Sequence, residues 1–211
     1  MGRLRYVVTA VRERAPNVEY MKLHIPTLEA VWDTGNTSEA LRTSRQHTFF
    51  EALDLVGNDA LVLLEDDVIL TRQFCKKAEI AIEERPEAVI QFFSRRADDI
   101  RVGSRWQSGS AYLMNQCTYW PAGLAANVKE WMPSWYARQT ALGNVTLGAA
   151  DLMMAGYFSE HKIRHWVSIP SLVEHSIGVS AINPSRAKKR QSKTFTAPEL
   201  SGMPPSLVLK I

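Results

Sequence analysis

Three adjacent acids, Glu65, Asp66 and Asp67, are the residues of this chain whose types and spacing point most directly to chemistry. They follow the apolar run 60–64, which is opened by Gly57-Asn58-Asp59 and predicts a strand buried on both faces. An ionised carboxylate in water-poor surroundings needs a partner. Mg²⁺ and Mn²⁺ prefer oxygen ligands and bind between one or two carboxylates and the phosphates of a substrate. The pattern therefore predicts a divalent-cation site, with an exposed acidic turn after a core strand as the equal alternative.

The segments around this strand are predicted to alternate between strand and helix. Further strands are predicted over 6–10, 30–32, 88–93, 109–114 and 165–167. Helices are predicted over 18–23, 36–56, 74–85, 121–131 and 149–160, and loops over 94–108 and 131–144. This alternation is typical of an α/β layer with a largely parallel sheet. Ligands of such sheets bind beyond the carboxyl ends of the strands, which is where the three acids fall.

The composition is that of a globular protein, with 45% hydrophobic and 22% charged residues among 211. A chain of this length can bury the core of one domain. No apolar run approaches the roughly 20 residues that span a bilayer, and the N-terminal apolar stretch is too short for a signal peptide. Cys75 and Cys117 have no Cys or His at zinc spacing. We therefore expect a reducing, cytoplasmic compartment.

Positive charge is concentrated in the segment 183–196, which contains no acid. Its basic residues are Arg186, Lys188, Lys189, Arg190 and Lys193, so the segment carries +5 and the rest of this +3 chain carries −2. A basic patch on a mildly acidic body favours a phosphate-bearing partner. A solvated basic tail is the alternative. We predict a catalytic domain over 1–182 and a basic C-terminal tail over 183–211.

Three further features carry residues that suit a binding site. Small residues in Gly109-Ser110-Ala111-Tyr112 precede a predicted strand, and they permit either close approach of a ligand or a bulge. Asp151 opens an apolar helix, where it either acts chemically or stabilises the helix terminus. His175 lies in an apolar segment close to Gly178. A lone histidine in that setting is more often structural than a ligand.

These pieces together resemble the nucleotide-sugar glycosyltransferases of the GT-A fold. The likeness is strongest to the lipopolysaccharide glycosyltransferase family numbered 25, and it extends to small bacteriophage glycosyltransferases. The matching motifs, in chain order, are Leu64-Glu65-Asp66-Asp67, Gly109-Ser110-Ala111-Tyr112, Ala150-Asp151-Leu152 and Pro170-Ser171-Leu172-Val173-Glu174-His175. Over about 6–182, the resemblance implies a GT-A-like, Rossmann-like three-layer α/β sandwich with a mostly parallel central sheet.

The resemblance also implies a reaction and its ligands. A sugar would move from a nucleotide-diphosphate donor to an acceptor hydroxyl, and a UDP-sugar is the commonest donor in the family. Asp67 and His175, with Glu65, would bind Mn²⁺ or Mg²⁺, which neutralises the departing diphosphate. The implied donor-binding residues are Thr9, Arg12, Arg45, Glu65, Asp66, Lys188 and Arg190.

Asp151 is the implied catalytic residue. In an inverting reaction it would be the general base that takes the proton of the acceptor hydroxyl. In a retaining reaction it would contact the acceptor or the donor sugar. The implied acceptor-binding residues are Arg105, Trp106, Gly109, Tyr112 and Trp135.

Basic residues interleaved with aromatic ones suit nucleic acid. We therefore expect the acceptor to be either a hydroxymethylated pyrimidine in DNA or a bacterial saccharide. Two other classes remain open at this point: a metal-dependent enzyme of phosphate chemistry, and a non-catalytic nucleic-acid-binding module.

Overall fold

The structure of the protein is a computed structural model that describes residues 2–33, 38–113, 115–143, 150–177 and 190–209, with the backbone alone described over 38–46. The strands are β1 Leu4–Val11, β2 Leu28–Asp33, β3 Ala60–Glu65, β4 Val68–Leu70, β5 Val89–Gln91, β6 Arg105–Gln107, β7 Cys117–Trp120, β8 His165–Val167 and β9 Val173–His175. The helices are α1 Ala15–His24, α2 Ser38–Val56, α3 Phe74–Glu84, α4 Asp99–Val102, α5 Leu124–Ala141 and α6 Ala150–Glu160, with 3-10 turns at Arg12–Arg14 and Gly109–Ala111.

Seven strands form the central sheet in the order β2-β1-β3-β7-β5-β8-β6. β2, β1 and β3 are parallel to one another, and β5 is parallel to β8. β7 runs antiparallel between β3 and β5, and β6 runs antiparallel beside β8 at the edge. β5 and β8 therefore share the direction of β3. The prediction of an α/β fold with a mostly parallel sheet is confirmed.

The core consists of two apolar clusters on opposite faces of this sheet. α1 and α3 pack on one face, together with Val62 and Leu64 of β3. α2, α5 and α6 pack on the other face, together with Leu61 and Leu63. Successive residues of a strand point to opposite faces, so β3 needs apolar residues at every position. This explains the continuous apolar run 60–64, whose predicted burial on both faces is confirmed.

Several segments differ from the sequence-based prediction, and two of them carry predicted site residues. The predicted strand over 109–114 is wrong, because Gly109–Ala111 is a 3-10 turn and the strand that pairs with β3 is β7. The predicted loop over 131–144 is also wrong, because α5 continues to Ala141 with Pro133 inside it. Met132 and Trp135 continue the buried face that begins at Leu124 and includes Val128. Their helical spacing places them against α6, and this packing extends α5 past the proline.

The described part of the predicted tail, residues 190–209, packs on the domain. Leu207 is 2% exposed and belongs to the cluster beneath α1 and α3. The backbone N–H of Glu199 donates to the carbonyl of Leu70, and the Tyr20 hydroxyl donates to the carbonyl of Glu199. The chain after residue 190 is therefore part of the fold. The predicted loop over 94–108 likewise contains α4 and β6. In the described part of the chain, no helix is long and apolar enough to cross a membrane.

Candidate functional site

The turn between β3 and β4 lies at the carboxyl edge of the sheet. Glu65 is the last residue of β3 and is in register with Thr9 of β1. α1, which connects β1 to β2, packs on one face of the sheet, whereas α2, which connects β2 to β3, packs on the other. The connections therefore diverge between β1 and β3. In open α/β sheets this divergence creates the crevice that binds ligands.

Asp66 anchors this turn to the end of β1. Its Oδ2 accepts a hydrogen bond of 2.8 Å from the backbone N–H of Val11, and its Oδ1 accepts one of 2.8 Å from Nη1 of Arg14. Its backbone carbonyl accepts one of 2.7 Å from Nδ2 of Asn17. Burial raises the pKa of Asp66, and Arg14 opposes this effect. Both carboxylate oxygens are thus held by protein donors, and the structure gives Asp66 an anchoring position instead of the donor-facing one expected.

Asp67 lies beside His175 at the end of β9. The Oδ2 of Asp67 is 3.4 Å from Nε2 of His175 and 3.0 Å from Nη1 of Arg14. The other oxygen, Oδ1, is buried and has no hydrogen-bond partner among the described residues. The backbone N–H of Ser176 donates to the carbonyl of Asp67, which fixes the turn against β9. The structure therefore brings two of the three predicted metal ligands together.

This pair fits a cation that takes only part of its coordination from the protein. An orphaned buried carboxylate oxygen is costly unless a partner fills the position it faces. Mg²⁺ and Mn²⁺ bind through one or two side chains and leave the other positions to water and substrate phosphates. Among the described residues no group of three or more His, Cys, Asp or Glu side chains could enclose a metal ion. A cation here would therefore be held by Asp67 and His175, with its remaining ligands from solvent or substrate.

Arg14 is a site residue that the sequence analysis missed. It ends the 3-10 turn after β1, and its side chain is only 15% exposed. Burial lowers the pKa of Arg14, but Asp66 and Asp67 outweigh that effect, so the pKa is raised and the guanidinium stays charged. Its position in the turn that follows the first strand is the feature of the sequence from which Arg14 could have been predicted. Arg12, which was predicted instead, is exposed at the start of the same turn.

Glu65 lies on the other face of the sheet from Asp67 and His175. Glu65 follows Leu64 in β3, so the two side chains point to opposite faces of the sheet. The Oε2 of Glu65 accepts a hydrogen bond of 2.9 Å from Nε2 of Gln116. Burial raises the pKa of Tyr112, and the negative charges of Asp151 and Glu65 add to this effect. Both carboxylates therefore act electrostatically on the same phenol. Glu65 lies on the face of the sheet that carries Tyr112, whereas Asp67 and His175 lie together in the turn beyond the strand.

Asp151 and Tyr112 form the second part of the site. Asp151 lies in the first turn of α6, half-buried, and its Oδ1 accepts a hydrogen bond of 3.1 Å from the N–H of Leu152. Tyr112 is fully buried, and its hydroxyl is 2.5 Å from Oδ1 of Asn115 and 2.9 Å from Oγ1 of Thr118. Tyr112 is thus held in the core by Asn115 and Thr118, and its burial rules out the direct acceptor contact expected of it.

The other predicted acceptor residues do not converge on Asp151. Arg105 pairs with Asp98 at 3.3 Å and with the fully buried Asp99 at 2.8 Å, which makes it part of the packing of α4. Trp106 is 41% exposed on the edge strand β6. Three strands separate β6 from β3, so Trp106 is roughly 19 Å from the acidic turn.

Gly109 and Trp135 are packing residues. A Cβ on Gly109 would lie 2.6 Å from backbone and side-chain atoms of Phe158, so glycine permits the 3-10 turn to pack directly on α6. Trp135 is 9% exposed and lies 6.0 Å from the ring of Trp131 in the core. The small residue at Gly109 therefore serves packing against α6, and the structure favours this role over close approach of a ligand.

The predicted donor residues are placed unevenly. Thr9 donates a long hydrogen bond of 3.5 Å to the carbonyl of Leu64 and so lies at the crevice. Arg190 is half-buried and lies two residues before Ser192, whose N–H donates to Glu174 at 3.0 Å. The side chain of Arg45 and the whole of Lys188 lie outside the described residues.

Glu174 connects β9 to the chain beyond residue 190. It is 4% exposed, and its Oε1 accepts hydrogen bonds from the backbone N–H groups of His175, at 2.8 Å, and Ser192, at 3.0 Å. Burial raises the pKa of Glu174 to about 7, although the two N–H donors oppose the shift. Glu174 lies within the Pro170–His175 motif, but no role is predicted for it from the sequence.

Comparisons with known proteins give no family assignment. No family model matches the chain, and no curated protein matches its sequence. Among solved structures, A197 from STIV is similar over 92% of this chain and 96% of that one, with 16% identity and a TM-score of 0.43. A glucose-1-phosphate thymidylyltransferase from Bacillus anthracis, in complex with a sucrose, is similar over 81% of this chain and 92% of that one, with 10% identity and a TM-score of 0.37. Similarity at this level assigns neither a family nor an activity.

Proposed function

We propose that the protein is a metal-dependent glycosyltransferase of the GT-A type. It would transfer a sugar from a nucleotide-diphosphate donor, a UDP-sugar, to an acceptor hydroxyl. The observation that carries the proposal is the meeting of Asp67, His175 and Arg14 at the carboxyl edge of the sheet, beside the end of β1. An oxygen ligand, a nitrogen ligand and a guanidinium cation in one crevice suit a diphosphate bound through a divalent ion.

Asp67 and His175 would hold Mn²⁺ or Mg²⁺ in this site. When bound, the ion supplies Lewis-acid neutralisation of the charge that develops on the departing diphosphate. Arg14 adds a planar donor that recognises phosphate oxygens. The buried Oδ1 of Asp67, which has no partner within the described part of the chain, supports this assignment, because a buried carboxylate oxygen needs a hydrogen-bond donor or a cation.

Asp151 would act as the general base of an inverting transfer. The acceptor oxygen attacks the anomeric carbon, its proton passes to the Asp151 carboxylate, and the bond from that carbon to the diphosphate oxygen breaks. Two features support the role: Asp151 is half-buried at a helix start, and it shares the neighbourhood of Tyr112 with Glu65 at the carboxyl end of β3. The sugar would lie between this pair of acids and the Asp67–His175 pair.

The acceptor proposed is a hydroxymethylated pyrimidine in DNA or a saccharide. Residues 183–189 of the basic segment lie outside the described residues, but the described residues on either side of 178–189 are tied to the candidate site. Ser176 donates to the carbonyl of Asp67, and Ser192 donates to Glu174. Basic residues joined to the site at both ends favour a phosphate ligand, which is either the donor diphosphate or the backbone of DNA.

The metal assignment is tested with Asp67→Ala and a matched control, Glu65→Gln, from the same turn. Calorimetric affinity for UDP in Mn²⁺ is expected to fall at least tenfold in Asp67→Ala and to stay unchanged in Glu65→Gln, because Glu65 lies on the other face of the sheet. Circular dichroism would verify that both variants fold. Unchanged UDP affinity in Asp67→Ala would refute the metal site.

The reaction is tested by incubating the protein with a panel of nucleotide-sugars and Mn²⁺, with and without duplex DNA containing 5-hydroxymethylcytosine. Release of nucleotide diphosphate that requires both Mn²⁺ and the DNA establishes the transferase and its acceptor together. Slow release of nucleotide diphosphate from one donor, at a rate that does not depend on DNA, supports a saccharide acceptor. Phosphate or pyrophosphate release without sugar transfer would replace the proposal by an enzyme of phosphate chemistry.

A further inference from the structure

We propose that Arg14 is an internal counter-ion of the candidate metal site, which pairs with Asp67 while no divalent cation is bound and moves to the donor diphosphate when the cation takes its place. The inference rests on the proposed function, because it concerns the same candidate metal site at Asp67 and His175. It adds that metal binding and donor recognition are coupled through one guanidinium.

The contacts of Arg14 define this exchange. A single nitrogen, Nη1, donates to Oδ1 of Asp66 at 2.8 Å and to Oδ2 of Asp67 at 3.0 Å. One guanidinium NH₂ group has two hydrogens, so it can serve two carboxylates at once. The two contacts are not equivalent, since Asp66 is also fixed by the N–H of Val11, whereas the second oxygen of Asp67 has no partner among the described residues. The bond to Asp67 is therefore the one that a cation would replace.

Burial makes a counter-ion necessary in the metal-free protein. The side chains of Arg14, Asp66 and Asp67 are 15%, 9% and 18% exposed. Two neighbouring carboxylates with so little contact to water repel each other, and removal of their common cation would leave the charges uncompensated. Arg14 supplies that compensation at the cost of occupying one side of Asp67.

A divalent ion at Asp67 would lie within a few ångströms of the same guanidinium. Like charges at that separation repel strongly in a partly buried site, so occupancy by the ion weakens the Arg14–Asp67 contact. One N–H of Nη1 then becomes available at the edge where the diphosphate is expected. Planar guanidinium groups bind phosphate oxygens well, and a diphosphate brings the negative charge that offsets both cations.

A fixed structural ion pair would behave differently. In that case Arg14 would keep its contact to Asp67 with or without metal, and its removal would damage the carboxylate geometry and weaken the binding of Mn²⁺. If Arg14 instead competes with the cation for Asp67, its removal should strengthen the binding of Mn²⁺ and weaken the binding of the nucleotide. The sign of the change in Mn²⁺ affinity therefore distinguishes the two.

The experiment compares wild type with Arg14→Met and Arg14→Lys, and Arg5→Met is the matched control. Arg5 lies in β1, as Arg14 lies shortly after it, and Arg5 also pairs with an acid, Glu29. This pair is at the opposite end of β1 from the acidic turn. Mn²⁺ affinity is measured by electron paramagnetic resonance without nucleotide at pH 8, and UDP affinity by calorimetry in saturating Mn²⁺. We expect Arg14→Met to bind Mn²⁺ at least tenfold more tightly and UDP at least tenfold more weakly than wild type, with Arg5→Met unchanged in both.

Arg14→Lys keeps a cation but not the two-hydrogen nitrogen on a planar group, so it protects the test against a methionine variant that fails to fold. It is expected to lie between wild type and Arg14→Met in both affinities. An Mn²⁺ affinity that is equal or weaker in the folded Arg14 variants would overturn the inference. If wild-type Mn²⁺ binding still depended on Asp67, the proposed function would survive that result. Absence of Mn²⁺ binding in wild type and variants alike would overturn both.

Discussion

Glu174→Gln is expected to make the protein more stable at alkaline pH and to leave its stability at acid pH nearly unchanged. Glu174 is 4% exposed, and burial raises its pKa to about 7, compared with an ordinary value of 4.5. Its Oε1 accepts hydrogen bonds from His175 and Ser192. The amide oxygen of glutamine can accept both bonds, so the substitution removes the ionisable group and retains the contacts.

The sign and magnitude follow from proton linkage. Between pH 4.5 and about 7, the folded protein keeps a proton on Glu174 that the unfolded chain has lost. The contribution of Glu174 to stability is therefore complete below pH 4.5 and is lost as the pH rises through about 7. A tenfold change in proton affinity corresponds to about 1.4 kcal/mol, so the full loss is about 3 kcal/mol. About 2 kcal/mol of it falls between pH 5 and pH 8, because the unfolded glutamate is already partly ionised at pH 5.

The assay is urea unfolding of wild type and Glu174→Gln at pH 5 and pH 8, with a chelator present so that metal binding does not contribute. The free-energy difference between the two proteins should change by about 2 kcal/mol in favour of the variant from pH 5 to pH 8. Glu83→Gln, at an exposed position of α3, is the control and should show no such change. A difference that is the same at both pH values would show that Glu174 is charged in the folded protein throughout, and would refute the reasoning from its burial.

Three other perturbations have defined outcomes. Asp151→Asn should leave UDP affinity within twofold and lower turnover by roughly 10²–10⁴-fold; turnover close to that of wild type would eliminate Asp151 as the base. His165 of β8 is fully buried, and burial, with a contribution from Arg96, lowers its pKa to about 4. The contribution of the neutral imidazole to stability is complete above pH 6.5 and is lost as the pH falls toward 4. In urea unfolding, the free energy of unfolding of His165→Leu should therefore fall by about 2 kcal/mol less than that of wild type between pH 7.5 and pH 5. Neutralising Lys188, Lys189 and Arg190 should weaken either retention on DNA or the affinity for UDP, and filter-binding and calorimetry together identify which ligand the segment contacts.

Most of the fold could be predicted because its strands are buried on both faces. The apolar run 60–64 is too short for a helix and has no polar residue that could face solvent, and it is a strand in the structure. Gly57 marks the end of α2, as expected of a residue with a positive φ, here 57°. Short-range patterns of this kind depend only on neighbours in the chain, which a sequence displays directly.

The errors in the fold arose where packing between distant elements decides the outcome. Gly109–Tyr112 has the composition of a strand entry, but contact with Phe158 of α6 turns it into a 3-10 turn. The aromatic residues of 131–136 resemble a binding loop, yet they extend α5 because α6 provides a surface that buries Trp135. Neither partner is adjacent in sequence, so composition alone suggested binding where the structure has a core.

The site could be predicted in part for a related reason. Asp67 is predicted from its place at an acidic strand end, and His175 only from the family resemblance. The two meet because β4 and β9 pair in a small sheet of their own, with Val68 opposite His175. Arg14 and Glu174 have no sequence signature apart from their neighbours. Arg14 becomes a site residue through the return of the chain 52 residues later to Asp66. Glu174 acquires its raised pKa from burial beneath the chain at Ser192.

The end of β3 at Glu65 divides the three adjacent acids between two environments, which the linear sequence does not reveal. Glu65 ends the strand on the face of α2, α5 and α6, where its charge acts on Tyr112 together with that of Asp151. Asp66 and Asp67 follow in the turn after the strand, where Arg14 holds both. Strand alternation alone would return Asp67 to the side of Glu65, so the turn is what separates these two acids. One acid therefore lies on the side of the proposed base and two lie at the proposed metal site, and in the proposed reaction the sugar is bound between the two groups.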